Sequence, residues 1–350
     1  MGIFAVTIFV LVLLYTFYMG FNDGSNAIAT TVATRAVKPK TAITIAAITK
    51  FLIPLVVFLI SRLFNTSGFV LAANISGKTV YPTYFADISS DKAFAFLLAG
   101  MIGATIWGGI AYALKIPNST SHTLLGALIG SGIAAFGFNS IQWNEYVTVN
   151  IILMVVLAPI STMIVAYFLT KLTKRLLRKM SREVNNILTI MQRINIIALS
   201  ATFSLNNSQK AIGIVMMLSM LGLSTYASND LPIWIILLIG LALGAGVMLG
   251  GYRVINTVGR KIFKLQPMHS VIAQLSTSAL MLFASNIGIS VSTGQVMSSA
   301  IIGVGSAERF RHVKWGIASK IAISWILTLP LALGFGAAIY LFIAKVLLKI

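Results

Sequence analysis

One carboxylate, Asp23, stands inside an apolar run too long for a single simple bilayer crossing. Ile3 to Met19 carries no charge, and the run continues from Ala27 in small and branched residues to the basic group Arg35, Lys38 and Lys40. About 20 apolar residues span a hydrocarbon core. The polar stretch Gly20-Phe21-Asn22-Asp23-Gly24-Ser25-Asn26-Ala27 therefore lies within the excess length. A carboxylate at membrane depth costs about 2.5–3.5 kcal/mol on insertion scales, so it needs partners or a purpose. Gly20 and Gly24 weaken a helix. They predict a helix broken at this stretch, where Asn22, Asp23, Ser25, Asn26 and freed backbone groups surround an intramembrane polar site. The simpler alternative is a polar loop at the membrane surface.

The rest of the composition agrees with a membrane setting. Of 350 residues, 58% are hydrophobic and 9% charged, with a mean hydropathy of +0.94. Soluble domains carry about 25% charged residues. The fold class expected is an all-α polytopic membrane protein in the cell membrane, its main partner the lipid bilayer. The net charge of +19 resides in short Lys/Arg clusters between apolar runs. That is the positive-inside pattern, and it suits an anionic cytoplasmic leaflet. It does not point to nucleic acid, because there is no RNA-binding signature and no long basic tail. The absence of cysteine excludes disulfides, thiolate chemistry and cysteine metal sites. No Lys or Arg precedes Arg35, so Ile3 to Met19 reads as a retained span, not a cleaved signal.

The two halves repeat. Asn22-Asp23-Gly24-Ser25-Asn26-Ala27-Ile28-Ala29 aligns with Asn206-Asn207-Ser208-Gln209-Lys210-Ala211-Ile212-Gly213, and Ser119-Thr120-Ser121-His122 aligns with Ser292-Thr293-Gly294-Gln295. Beyond the second motif, Ala127, Ile129, Gly130 and Gly132 match Ala300, Ile302, Gly303 and Gly305. Charge orients the halves. Basic clusters at 35–40, 171–182, 253–264 and 309–314 go inside, and the acid-bearing loops at 61–92, 139–146 and 225–232 go outside. Arg62, Lys78 and Lys92 run against this assignment. The expected organisation is a first transmembrane repeat at 1–182, ending in a basic cytoplasmic loop, and a second, inverted repeat at 183–350. Both termini are then extracytoplasmic. Segments 93–138 and 268–308 fit as re-entrant helical hairpins with tips at Pro117–His122 and Val291–Gln295, although two full crossings each would keep the same parity. Inverted-topology repeats with broken helices and re-entrant hairpins are a transporter architecture.

Two broken-helix motifs and two hairpin tips would bring together hydroxyls, amides, one acid, one lysine and one histidine. Helix N-termini attract anions. Ser119, Thr120, Ser292 and Thr293 each precede an apolar run, which also makes them candidate N-caps and nothing more. Lys210 stands where the first copy has Asn26 and would balance an anion's charge; the alternative is an interfacial lysine that snorkels. His122 has no second His or acid at ligand spacing, which argues against zinc. His269 and His312 lie beside basic clusters and read as surface residues.

These motifs carry a resemblance. The chain resembles the inorganic phosphate transporter (PiT) family, bacterial low-affinity permease type, whose signature is Gly-x-Asn-Asp-x-x-Asn-Ala with Asn-Asp-x-Gln-Lys in the second copy. Each copy is followed by a Pro-x-Ser-Thr-Thr-His type motif. Here these are Gly20 to Ala27, Asn206 to Ala211, Pro117 to His122 and Val291 to Gln295, and Gly251 to Gly259 also looks like a family stretch. The chain departs from the pattern at Asn207 for the second acid, at Gly294-Gln295 for Thr-His, and at Ser121 for Thr. The resemblance implies cation-coupled symport of inorganic phosphate, with sulfate or another tetrahedral oxyanion as the alternative substrate. Asn26, Ser119, Thr120, Ser121, Asn206, Gln209, Lys210, Ser292 and Thr293 would bind the anion. Asn22, Asp23, Asn207, His122 and Gln295 would serve the coupling cation, Na+ or H+, with Asn22 and Asp23 as ligands if it is sodium. No other cofactor is implied, and a homodimer is one option for the assembly. A membrane enzyme is the rival class, but the chain offers no intramembrane acid pair or metal cluster for it. A passive channel is the third.

Overall fold

The computed structural model describes residues 2–66, 68–86, 88–179, 183–224, 231–250 and 262–348. The family-like stretch 251–259, most of the basic cluster at 253–264, and Asp87, Ser181, Arg182 and Asp230 lie outside the described residues. Among the described residues the chain is helical, with one isolated β-bridge between Val80 and Ile141. Among the described residues six helices are long and apolar enough to cross a membrane, which makes this a multi-pass membrane protein.

Helix α1 runs Ile3–Ala33, α2 Pro39–Phe64 and the short α3 Val70–Lys78. Then come α4, Ser90–Ala113, and α5, Thr120–Phe136. A π-helical stretch, Trp143–Leu153, leads into α6, Met154–Leu177. The second half holds α7, Val184–Met220, α8, Ile233–Leu249, α9, Pro267–Asn286, α10, Thr293–Arg309, and α11, Trp315–Ile343.

The helix breaks expected at Gly20–Ala27 and Asn206–Gly213 are absent. Both α1 and α7 pass through their motifs without interruption. The glycines that suggested a break serve close approach instead. A Cβ on Gly20 would collide with the Leu243 carbonyl of α8, and one on Gly24 would press into the Val247 side chain. With a helix packed that tightly alongside, the backbone keeps its own hydrogen bonds and only side chains are left to meet across the interface.

The hairpins are built alike. After α4 the chain turns left-handed at Lys115 (φ 59°), and after α9 it does so at Gly288 (φ 74°). In each turn the next residue, Ile116 or Ile289, donates its N–H back to the carbonyl of Ala111 (2.9 Å) or Ala284 (2.8 Å). With the further bonds from the Lys115 N–H to the Tyr112 carbonyl (3.2 Å) and from the Gly288 N–H to the Ser285 carbonyl (3.3 Å), each turn is the Schellman arrangement that closes a helix C-terminus. Four residues after each left-handed residue stands a serine, Ser119 or Ser292, at the N-cap of the second arm.

Each hairpin packs on the last helix of the other half: α4 and α5 on α11, and α9 and α10 on α6. Gly130 of α5 and Gly336 of α11 lie against the partner backbone so closely that a Cβ on either would overlap a carbonyl. The first hairpin's tip reaches only part of the way along α11. Ser324 donates to the Pro117 carbonyl (2.8 Å) and Thr328 to Asn118 (3.2 Å), near the middle of that helix. In the centre, α1 packs on α7 and α8, and α2 packs on the same pair. The mixed segment 61–92 is more than a surface loop. Its α3 buries Leu71, Ala72 and Ile75 against α7.

Candidate functional site

Asp23 is 2% exposed, and its carboxylate is held from three sides. Thr120 Oγ1 of α5 donates to Oδ2 (2.8 Å), Asn207 Nδ2 of α7 donates to the same oxygen (3.0 Å), and Asn22 Nδ2 donates to Oδ1 (3.3 Å). The cost of a buried carboxylate is offset by such donors. Thr120 is placed in turn by Tyr15, whose hydroxyl donates to the Thr120 carbonyl (2.7 Å).

The ammonium of Lys210, fully buried, faces the same centre. It donates to Asn207 Oδ1 (3.0 Å), Asn206 Oδ1 and Ser121 Oγ (2.6 Å). Asn207 thus links acid and base, giving its amide N–H to Asp23 and taking the ammonium on its oxygen. A carboxylate there could accept from Lys210 but could not donate to Asp23. Ser121 joins the two hairpin tips, donating to the Val291 carbonyl (3.1 Å). Four elements therefore converge: α1, α7, and the tips that open α5 and α10.

The remaining candidates divide. Ser119 caps α5, accepting from the His122 N–H (3.2 Å), while Ser292 holds the equivalent position on α10 without a side-chain cap. Gln209 points away from the centre and accepts from the Leu71 N–H of α3 (2.7 Å), which makes it a cap for that helix. Asn206 also reaches Ser285 of α9 (3.4 Å). Asn26 lies beside Gly294, whose missing side chain leaves room for its amide. His122 is buried, with Nδ1 beside Ser119 Oγ (2.8 Å) and Gln295 Nε2 (3.4 Å). His122 Nε2, Thr293 Oγ1 and Gln295 Oε1 are buried without hydrogen-bond partners. The unspent donors of His122 and Thr293, next to a lysine and two helix N-termini, suit a group rich in acceptor oxygens.

Two buried residues carry little signal in the sequence. Tyr15 is one of many aromatic residues in an apolar helix. Lys50, in α2, interrupts an apolar run visibly enough, but no motif surrounds it. His269 is not the surface residue expected. It is 1% exposed, ring-packed on Phe263, and bonded through Nε2 to Glu308 (3.2 Å), which also pairs with Lys174 (2.9 Å). His312 is exposed, as expected. Among the described residues no group of three or more His, Asp or Glu side chains is placed to hold a metal ion.

Comparison with known proteins follows the same outline. The model of the phosphate transporter family, PHO4, matches residues 19–336. A protein of Bacillus subtilis named a probable low-affinity inorganic phosphate transporter is 32% identical over 341 residues, covering 97% of this chain and 96% of its own. One of Rhizobium meliloti with the same name is 30% identical over 347 residues, covering 97% and 95%. A solved structure named as the sodium-dependent phosphate transporter superposes with a TM-score of 0.79 at 22% identity, over 98% of this chain and all of that one, which shows the shared fold. The chain belongs to the phosphate transporter family.

Proposed function

We propose that this protein is a secondary transporter that carries inorganic phosphate across the cell membrane in symport with a cation, Na+ or H+. The observation that carries the reading is the buried network Thr120–Asp23–Asn207–Lys210–Ser121 between the two hairpin tips. It sets one acid and one base side by side, each held by neutral partners that can be exchanged. An oxyanion would displace Ser121 or an amide oxygen from Lys210 and gather the unspent donors Thr293 and His122 with the N-termini of α5 and α10. Ser119, Ser292, Asn26 and Asn206 line the same space. A cation would take Asp23 with the amide oxygens of Asn22 and Asn207, and Gln295 stands near. Gln209 serves as a cap at α3 and drops out of the binding set. The names of the relatives support phosphate, and the sodium dependence in the name of the solved structure supports a cation.

Alternating access needs two halves that move against each other. The matching hairpins and the reciprocal packing of α5 on α11 and α10 on α6 support two inverted repeats, 1–182 and 183–350. The tip of the first hairpin beside Ser324 and Thr328 supports re-entrance to mid-membrane depth, and the charge pattern favours both termini outside. The test is uptake of labelled phosphate and labelled sulfate into proteoliposomes under separate sodium and proton gradients. Concentrative phosphate uptake driven by one gradient is expected. Sulfate uptake in its place would move the substrate assignment, and no concentrative uptake under either gradient would remove the symporter.

A further inference from the structure

Lys50 is as deeply buried as Lys210, at 0% exposure, yet its Nζ has no hydrogen-bond partner. It lies about 17 Å along α2 from Pro39, at 1.5 Å per residue, close to the middle of a ~30 Å core. A lysine near a helix end would snorkel to water; this one does not reach it. Its ammonium sits 5.7 Å from the ring centroid of Phe203 on α7, a cation–π distance. The backbone is pinned at the same point. Pro54 has no N–H to give the Lys50 carbonyl, four residues before it, and Ser204 of α7 donates to that carbonyl instead (2.7 Å). Phe203 lies one helical turn before Asn207. Lys50 therefore packs, through its side chain and its carbonyl, on the turn of α7 that precedes Asn207, the residue that joins Asp23 to Lys210.

Among the described residues, the buried charged side chains are Asp23, Lys50 and Lys210, apart from His122 and His269. Unbalanced charge is costly in a low-dielectric interior. A doubly charged oxyanion added to these three leaves a single negative charge, which one monovalent cation cancels. Without Lys50 the same closed site would need two. The chain's own repeat points the same way, since its second motif copy carries the amide of Asn207 where the first carries the acid of Asp23.

We propose that Lys50 is a resident cation of the transport site, supplying through a fixed ammonium one of the positive charges that would otherwise come from a bound ion, and so setting the ratio at one cation per doubly charged oxyanion. This rests on the transport reading above. The test uses the full chain in proteoliposomes with labelled phosphate. With the membrane potential held at zero by an ionophore, the cations carried per phosphate are read from the cation gradient that just holds a fixed phosphate gradient at zero net flux. The unmodified protein should give one cation per phosphate dianion, Lys50→Met two, and Lys50→Arg one. The limiting accumulation ratio of Lys50→Met should then rise by a factor equal to the cation gradient itself. A ratio of two in the unmodified protein overturns the proposal whether or not the variants fold. An unchanged ratio in Lys50→Met overturns it while leaving the transporter standing. An unmodified protein that moves no phosphate fails the transport reading itself.

Discussion

Replacing Asn207 by Asp tests the centre of the site most directly. Asn207 Nδ2 now lies 3.0 Å from Asp23 Oδ2. A carboxylate in its place would put two like charges at that separation. At an effective dielectric of 20 the repulsion is about 5–6 kcal/mol. Lys210 Nζ, also 3.0 Å away on the other side of residue 207, offsets much of this in Asn207→Asp. In Asn207→Asp with Lys210→Asn the repulsion stands alone. A monovalent cation seated between the carboxylates recovers it, and 5–6 kcal/mol corresponds to about four decades in cation affinity. The readout is thermal unfolding in detergent against sodium concentration and against pH, without phosphate, because a ligand that binds only the folded state raises its stability by mass action. Half-maximal stabilisation should shift to at least ~10-fold lower cation concentration in Asn207→Asp, and further in the double variant. If both variants follow the unmodified protein in their sodium and pH profiles, residue 207 is outside the site and the reasoning is wrong.

Other consequences are as specific. Asp23→Asn should abolish concentrative uptake while the protein still inserts; accumulation at the unmodified level would take Asp23 out of coupling. Cysteines at Thr66 and Lys179, both exposed positions in a chain without cysteine, should label from outside and from inside respectively with an impermeant reagent, and the reverse would invert the topology. Ser204→Ala should destabilise by about 1–3 kcal/mol by stranding the Lys50 carbonyl, and the loss should shrink when Pro54→Ala restores an N–H donor; equal losses in both backgrounds would mean the carbonyl is satisfied otherwise. Glu308 is subject to burial, which works upward on its carboxyl, but hydrogen bonds from Lys174 and His269 outweigh it and hold the group below its ordinary 4.5. That stability is present above the unfolded value and lost as pH falls through the lower folded one. Glu308→Gln should therefore flatten the loss of thermal stability between about pH 5 and pH 3.

What can be read without the fold follows from cost. Asp23 is conspicuous because a charge in an apolar run is expensive, and the duplicated Asn and Ser-Thr positions stand out against hydrophobic surroundings. The hairpin tips are recognisable from Pro117 and the paired Ser-Thr steps. Helix continuity is not, because Gly20 and Gly24 look the same whether they break a helix or admit a neighbour, and only Leu243 and Val247 decide between the two. Gln209 sits inside a binding motif yet caps α3, through a partner 138 residues away. Lys50 and Tyr15 acquire meaning only from Phe203, Ser204 and Thr120, none of them near in sequence. His269 looks like a surface residue because its basic neighbours hide the single distant acid, Glu308, that makes burial tolerable.

The reciprocal packing of hairpins and terminal helices imposes an order on biosynthesis. Helix α5 presents Gly126 and Gly130 to α11, which is made long after it. About 180 residues separate the end of α5 from the start of α11, and at about 5–20 residues per second the ribosome takes roughly 10–40 s to supply the partner. Through that interval the first hairpin can rest on α1 but lacks the helix that fills its small-residue groove, which must be borne by lipid or by the insertion machinery. A chain truncated before residue 315 would never fill that groove. This seam of the nascent protein is thus committed to late closure, and premature termination leaves a first half with the seam unfilled.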